Sequence, residues 1–437
     1  MYKSRFRFFR FFLFVLLAAA YAAAGAGVPL AGRTANVARA ADTAKIVFRY
    51  IDVGQGDATF IEFPDGKTMI VDAGPNSGKA QLLDYFERNL TGVTGFDYVV
   101  LTHSDEDHCN NFPALLEKYP LKAGGRVYRP NEEATRSGFT DPAADKTGRH
   151  ESFWGDGQSG KHGEKATLTY RNCIDAFYNQ PAYTGETGGK AEIWVTDARP
   201  APPARKVLNG TLTLYTDMDF YGDVNGNAVF DTDTDYAVRF YAPTVSHYVD
   251  FNNYSPIFTV DYRGRRALFS GDAEKEAEAD FVKAVENGTF NFHAGEEIAR
   301  NRKGVDTIKL GHHGSGTSST ADYLDIVLPA DNAETLAVAS ANHADNNYNH
   351  PAPATVKRLT DDFGLKEDNI LVTEQLGSVV ISFGADGVTL AGRDGISENC
   401  LPFLTSDSIL KWVIVCVAVA VVVVIVIWCV YRVRKRK

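Results

Sequence analysis

The segment that most constrains this chain is a cluster of carboxylate and imidazole side chains at residues 103–108. His103, Asp105, Asp107 and His108 follow FDYVVLT directly, an apolar run typical of a buried strand. Imidazole and carboxylate groups are ligands for Zn²⁺, Mn²⁺ and Fe²⁺. Because clustered acids repel one another unless a cation or solvent neutralises them, the segment predicts a metal site at the end of a strand.

Two later segments end apolar runs with further candidate ligands. Asp272 follows RALFSG, and His312 and His313 follow TIKLG. A lone Asp after a strand is more often a helix cap than a ligand. Three strand ends that present ligands at one rim nevertheless make a coherent dinuclear site.

The surrounding pattern indicates an α/β fold. IVFRYIDV, TFIEF and TMIVDAG read as successive strands, and KAQLLDYFERNL has the apolar spacing of a helix. A strand, a helix and a strand with polar groups at a strand's carboxyl end are typical of α/β proteins. The stretch from about 124 to 210 is rich in Gly, Lys, Thr and Tyr, and it predicts an insertion with little regular structure, a candidate lid.

The ordered motifs resemble those of the metallo-β-lactamase superfamily, specifically the extracytoplasmic hydrolase domain of ComEC-type competence proteins. Besides the cluster at 103–108, the matching segments are Ile51–Asp57, Ile70–Gly74, Asn252–Ser255, Gly271–Asp272, His312–Ser315 and Tyr348–Pro351. The resemblance covers most of 45–395 outside the insertion. It implies a four-layer αββα sandwich with a binuclear site at one edge.

The resemblance also implies two divalent cofactor ions, Zn²⁺ or Mn²⁺, that activate a water molecule for hydrolysis. The residues it assigns to the metals are His103, Asp105, Asp107, His108, Asp272 and His312. The first two would serve one ion, the next two and His312 the other, and Asp272 would bridge them. The third-motif His of the superfamily has no clear counterpart; Asn253 lies near its place, and His247 is a looser candidate.

Three residues are candidates for catalysis. Asp107 is expected to orient the attacking water or accept its proton while remaining a ligand. His313 and His350 could donate hydrogen bonds to a substrate oxyanion or support the metal ligands, and both roles stay open. Gln55 and Asp57 are interpreted as structural residues in a loop under the site.

Two other features suggest further sites. Cys109 directly follows the cluster, and a small buried residue is the preferred interpretation over a ligand. Spaced acidic residues from Asp223 to Asp235 could hold Ca²⁺, but they fit an EF-hand loop poorly, since Ala228 stands where that loop needs Gly. An acidic solvated loop is the preferred interpretation there.

Both ends of the chain read as membrane signals. Residues 1–40 combine a basic start with an apolar run and the small-residue site Ala38-Arg39-Ala40, which predicts a cleaved signal peptide. After a linker at 396–411, the uncharged run 412–431 predicts a transmembrane helix, and the basic tail 432–437 places the C-terminus in the cytoplasm. The body would then lie outside the cell membrane, anchored by one helix.

Charge narrows the function. The segments 1–40 and 411–437 hold six Lys/Arg each and no acid, so 41–410 carries a net charge of −22. No stable nucleic-acid complex is expected of so acidic a body. The resemblance implies a metal-dependent hydrolase of phosphodiesters, DNA among them. The alternatives are hydrolysis of an envelope phosphodiester, such as teichoic acid or phospholipid, and a non-catalytic metal-stabilised surface binding protein.

Overall fold

A computed structural model describes residues 44–130, 167–185, 191–196, 206–208, 212–214, 218–243, 248–287, 304–342 and 349–394. The predicted signal peptide, linker, transmembrane helix and basic tail lie outside these ranges. Within them, no helix is both long enough and apolar enough to cross a membrane.

The strands, in chain order, are β1 (Ile46–Tyr50), β2 (Thr59–Glu62), β3 (Thr68–Val71), β4 (Phe96–Val100), β5 (Leu121–Arg129), β6 (Glu192–Val195), β7 (Lys206–Leu208), β8 (Leu212–Leu214), β9 (Phe220–Gly222), β10 (Tyr236–Phe240), β11 (Phe258–Tyr262), β12 (Arg265–Phe269), β13 (Thr307–Lys309), β14 (Leu336–Ala339), β15 (Ile370–Val372), β16 (Ser378–Gly384) and β17 (Gly387–Asp394).

The α-helices are α1 (Lys79–Asn89), α2 (Glu106–Cys109), α3 (Phe112–Lys118), α4 (Leu168–Tyr178), α5 (Pro181–Thr184), α6 (Lys275–Asn287), α7 (Ala321–Val327), α8 (Pro353–Lys357) and α9 (Thr373–Leu376).

The strands form two large sheets and one small hairpin. The first sheet has eight strands in the order β17-β16-β1-β2-β3-β4-β5-β6, and the second has seven in the order β15-β14-β13-β12-β11-β10-β9. The pairs from β3 to β6 and from β12 to β15 are parallel, and the other neighbours in both sheets are antiparallel. β7 and β8 pair only with each other.

The two sheets share a core of aromatic side chains. Phe48 and Tyr50 in β1 lie with ring centroids 6.1 and 6.0 Å from Phe269 in β12 of the other sheet. On the opposite face of the first sheet, Phe60 packs against Phe86 of α1 at 5.3 Å. Alternate residues of a strand point to opposite faces, so a sheet covered on both faces needs apolar residues at successive positions. This mixed α/β arrangement is consistent with the predicted αββα sandwich.

The expectation of little regular structure between 124 and 210 is wrong for the residues described there. β5 continues to Arg129, β6 adds an edge strand to the first sheet, and α4 and α5 lie between them. In α4 the buried residues include Cys173, Ile174 and Phe177, and the Phe177 ring packs against Phe112 of α3 at 5.1 Å. The average composition of the whole stretch does not reveal the short segment in which apolar residues follow the spacing of a helix.

Candidate metal centre

Three strand ends form the site, one from the first sheet and two from the second. β4 ends at Val100, and the chain continues through His103 into α2, which carries Asp107 and His108. Asp272 follows β12, and the His312–His313 pair follows the parallel neighbour β13. Because parallel neighbours end at the same sheet edge, the last three side chains come together there and face the end of β4.

Asp272 lies at the centre of the cluster. Its Oδ1 is 3.3 Å from His108 Nε2. Its Oδ2 is 3.9 Å from His103 Nε2, 3.8 Å from His312 Nε2 and 3.3 Å from His313 Nε2. One carboxylate therefore faces four imidazole nitrogens, as the predicted bridging role of this residue requires.

The other ring nitrogen, Nδ1, of each histidine is occupied. His108 Nδ1 is 2.8 Å from Asp72 Oδ2, and His312 Nδ1 is 3.0 Å from Glu274 Oε1. His313 Nδ1 is 2.9 Å from the carbonyl oxygen of Ser340. Carboxylate and carbonyl oxygens only accept, so these Nδ1 atoms donate, and in the neutral ring Nε2 carries the lone pair that can bind a metal.

His103 follows the same pattern through a hydroxyl group. Its Nδ1 is 3.1 Å from Thr102 Oγ1, which donates to Asp72 Oδ2 at 2.8 Å and therefore accepts from the imidazole. Hydrogen bonds from Nδ1 to outer acceptors fix the ring orientation and tautomer of metal-binding histidines in general.

Buried atoms without partners show that a cation fits this cluster. His103 Nε2, His108 Nε2 and Asp272 Oδ1 are buried and have no hydrogen-bond partner. Ligand atoms around a tetrahedral Zn²⁺ lie about 3.3–3.6 Å from one another. The separations of 3.1–3.9 Å among the imidazole and carboxylate atoms match this spacing.

The electrostatics of the cluster also favour a cation. Burial would lower the pKa of His108, but Asp272 and Asp72 raise it well above its ordinary value. Burial would raise the pKa of Asp107, but His108 and His313 lower it to about 2. The carboxylates are therefore ionised at neutral pH and attract positive charge to the site.

The site is buried on one side and open on the other. The side chains of His103, His108, His313 and Asp272 are 0 to 3% exposed. Those of Asp105, Asp107 and His312 are 51%, 33% and 25% exposed. Among the described residues, the site is therefore accessible from the side of these three residues.

The structure gives the two consecutive histidines different surroundings, and their expected roles stay predictions. His313, expected in catalysis, has Nε2 only 3.1 Å from Asp107 Oδ2 and packs its ring 5.2 Å from that of His108. His312, expected beside Asp107, is instead held by Glu274. Both histidines have left-handed backbones, with φ of 48° and 56°, a local turn that the sequence does not announce.

His350 lies at the edge of the cluster, with its ring 5.8 Å from that of His312 and 6.4 Å from that of His313. It is buried. Its two predicted roles, a hydrogen bond to a substrate oxyanion or support of the metal ligands, both stay predictions. Asn349 before it has φ of 52°, the left-handed backbone region that asparagine adopts more readily than most residues.

Sequence reasoning named Asp57 as a structural residue in a loop under the site but missed its partner, Lys309. Asp57 Oδ2 is 2.9 Å from Lys309 Nζ, both are buried, and Asp57 Oδ1 is 3.2 Å from His313 Nδ1. Asp57, His108, Asp272 and His313 offer ligand atoms within 4.8 Å of one another. We interpret Asp57 as support for His313 and not as a ligand, because Lys309 already neutralises it. The available signal was the charged residue Lys309 inside the apolar run TIKLG.

Asn253, considered near the place of the missing third-motif His, has a structural use. Its Oδ1 accepts hydrogen bonds from the backbone N–H groups of Glu274 at 3.0 Å and Ala277 at 3.2 Å, at the start of α6. Ser255 nearby accepts from the Asp272 backbone N–H at 3.0 Å. His247 lies outside the described residues.

The remaining candidates have structural surroundings. Cys109 is buried, and its thiol donates to the Ser104 carbonyl oxygen at 3.4 Å. In the acidic loop, Asp223 accepts from the backbone of Gly226 at 2.8 Å, and Asp235 accepts from that of Val224 at 2.9 Å. Both carboxylates therefore accept hydrogen bonds from the backbone of their own loop. A calcium site there stays a prediction.

Comparison with known proteins places the chain in a family. It is 29% identical over 150 residues to the competence protein ComA of Neisseria gonorrhoeae, a match that spans 34% of this chain and 18% of that relative. Among solved structures it is similar to the metallo-β-lactamase fold protein YhfI of Bacillus subtilis, at 10% identity and a TM-score of 0.34, over 77% of this chain and 99% of that one. A metallo-β-lactamase variant of Cronobacter sakazakii has 12% identity and a TM-score of 0.27, over 60% and 75% of the chains. The model of the metallo-β-lactamase superfamily matches residues 51–331, so the chain belongs to this superfamily of metal-dependent hydrolases.

Proposed function

We propose that this protein is a membrane-anchored extracytoplasmic phosphodiesterase with a dinuclear metal centre. The observation that carries the proposal is the single carboxylate of Asp272 between four imidazole Nε2 atoms, with flanking carboxylates on the open side. Two ions a few Å apart clamp the attacking and leaving oxygens in phosphatases and nucleases, and when bound they generate a nucleophile from water at neutral pH.

Asp107 and His350 supply the remaining chemistry in this proposal. Asp107 joins the buried cluster to solvent, since its Oδ2 is 3.1 Å from His313 Nε2 while a third of its side chain is exposed. In the proposal this carboxylate orients the attacking water and accepts its proton. His350, at the edge of the cluster, donates a hydrogen bond to the substrate oxyanion.

Anchoring is supported by sequence. The uncharged run 412–431 and the basic residues after it support a single C-terminal span with the hydrolase domain outside the cell membrane. The matched relative is a competence protein, which supports a place at the cell surface. DNA is accordingly one candidate substrate.

The charge of the body supports a second candidate substrate. A net charge of −22 over residues 41–410 disfavours tight binding of a polyanion such as DNA. An envelope phosphodiester presented at the membrane, such as a teichoic acid or a phospholipid headgroup, needs no such long-range attraction, because anchoring supplies the proximity.

The test is hydrolysis of bis(p-nitrophenyl) phosphate by the full-length chain loaded with Mn²⁺ or Zn²⁺. Asp107→Asn should lose at least about 100-fold in rate. Asp84→Asn, the same change on an exposed helix position paired with Arg88, should not. Folded, metal-loaded protein without turnover would refute the phosphodiesterase and favour a carbonyl substrate or a binding role.

Single-stranded DNA and a poly(glycerol phosphate) chain, compared at low and physiological salt, would then separate the two substrate classes. Faster cleavage of DNA than of poly(glycerol phosphate) at both salt concentrations would favour DNA, and the reverse order would favour an envelope polymer.

A further inference from the structure

The His312–His313 pair is divided between the two halves of the centre. Around the second predicted ion, Asp107, His108, His313 and Asp272 are mutually close: His313 Nε2 is 3.1 Å from Asp107 Oδ2, and His108 Nε2 is 3.3 Å from Asp272 Oδ1. These four side chains make a complete tetrahedral set without His312.

The first predicted ion has fewer ligands. His103 Nε2 is 3.7 Å from Asp105 Oδ2 and 3.9 Å from Asp272 Oδ2, and Asn253 uses its amide oxygen to cap α6. This half therefore holds three protein ligands, His103, Asp105 and Asp272, one fewer than the other half.

His312 is placed to supply a fourth ligand to this half. Its Nε2 is 3.8 Å from Asp272 Oδ2, the oxygen that His103 approaches at 3.9 Å and His313 at 3.3 Å. Of the two consecutive histidines, it is His313 that also contacts Asp107 Oδ2, at 3.1 Å. Its side chain is a quarter exposed, on the open side of the cluster together with Asp105.

Glu274 holds the His312 ring in this orientation. Its Oε1 accepts from His312 Nδ1 at 3.0 Å and from Thr317 Oγ1 at 2.8 Å, so the carboxylate is itself fixed. Both consecutive histidines are non-glycine residues with φ near 50°, and such backbone strain persists where the surrounding structure enforces it.

We infer that His312 is the missing protein ligand of the first metal ion, replacing the third-motif histidine, and that Glu274 is its positioning residue. This inference deepens the proposed function, because it names a ligand of the same site. Its readout is metal binding, so it is tested independently of any substrate.

The experiment counts Mn²⁺ ions bound by the full-length chain, from the electron paramagnetic resonance signal of the free ion. The wild-type chain should bind two ions, and His312→Ala should bind one, with the affinity of the first site reduced on the order of 100-fold or more. Glu274→Ala should weaken the same site about 10- to 100-fold without removing a ligand, which provides a milder variant if His312→Ala folds poorly.

Double variants identify which ion is lost. His312→Ala/Asp105→Ala should still bind one ion, because both changes affect the same site, whereas His312→Ala/His313→Ala should bind none. Two ions at wild-type affinity in His312→Ala, or none in His312→Ala/Asp105→Ala, would overturn the inference.

The wild-type result separates this inference from the proposed function. A wild-type chain that binds one ion would overturn the inference, and one that binds none would refute both. Two bound ions without phosphodiester turnover would refute the proposed function alone.

Discussion

Asp72 lies behind the ligand cluster and controls the ring of a residue within it. Its carboxylate is fully buried, accepts from the Thr102 backbone N–H at 2.8 Å and from Thr102 Oγ1 at 2.8 Å, and is 2.8 Å from His108 Nδ1. A carboxylate in this position keeps the proton on Nδ1, which leaves Nε2 as the metal-binding atom.

Asp72→Asn should therefore weaken metal binding without removing a ligand. The asparagine amide can donate to Nδ1 and so favours the tautomer that protonates Nε2. We expect Mn²⁺ affinity to fall about 10- to 100-fold, measured by titration. Asp97→Asn is the matched control, because Asp97 accepts from Thr68 and Lys122 and has no contact with the histidines. Equal affinities of the two variants would contradict this role of Asp72.

A second residue-scale prediction concerns Glu278, which is buried in α6 and accepts from the backbone N–H groups of Ser319 at 2.6 Å and Thr320 at 2.8 Å. Burial raises its pKa from 4.5 to about 7. At this group the folded state thus binds more protons than the unfolded state, so the contribution of Glu278 to stability is greatest below pH 4.5 and declines as pH rises to 7.

Glu278→Gln should remove this decline, which amounts to at most about 3 kcal/mol in the free energy of unfolding. Urea unfolding of the metal-free chain at pH 5 and 7.5 measures it. Glu286→Gln, at an exposed position of the same helix, should keep the wild-type slope. A Glu278→Gln slope that parallels the wild type would show that Glu278 does not titrate in this range.

Among the elements, α2 depends on the loop before β2. Asp57 N donates to the Asp107 carbonyl oxygen at 3.1 Å, so this loop lies directly against the backbone that carries two candidate ligands. Gly56 has φ of 149°, and a Cβ there would lie 2.5 Å from the Asp107 carbonyl oxygen and 2.6 Å from Pro75 Cδ. Only glycine allows this close approach.

Gly56→Ala should displace α2 and lower both stability and metal affinity. We expect a loss of about 1–3 kcal/mol in the free energy of unfolding, measured with chelator present to separate it from metal binding. Gly92→Ala is the control, since a Cβ there meets no atom within 4 Å. Wild-type stability and Mn²⁺ affinity in Gly56→Ala would show that the loop and helix are not coupled.

At the scale of the whole molecule, the centre joins the two sheets. His103 and His108 follow a strand of the first sheet, while Asp272 and His313 follow strands of the second. An ion bound by ligands from both sheets binds the folded state and not the unfolded one, so it stabilises the fold by mass action.

Adding Mn²⁺ to about 100 times its dissociation constant should stabilise the metal-free chain by about 2.7 kcal/mol per site. The unfolding temperature should rise on the order of 5 °C. In Asp272→Ala, which lacks the central carboxylate, the rise should disappear. A metal-independent unfolding temperature in the wild type would indicate that the ion does not link the sheets.

Much of the fold and of the site follows from local sequence. Short apolar segments predicted the strands β1 to β4, and apolar residues at helical spacing predicted α1. The structure contains each of these elements within a few residues of its predicted position. The ligand types at 103–108, 272 and 312–313 were readable because each set directly follows an apolar strand. These properties depend on side-chain chemistry and short-range periodicity, which sequence contains.

Other properties required the tertiary structure. The different surroundings of His312 and His313 depend on two left-handed backbone conformations, and the Asp57–Lys309 pair joins residues that are far apart in the chain. Sequence by itself determined which groups stand at the strand ends; only the packing of one sheet on the other decided which of them meet. Contacts between distant segments depend on the whole packed core, and no local pattern encodes them.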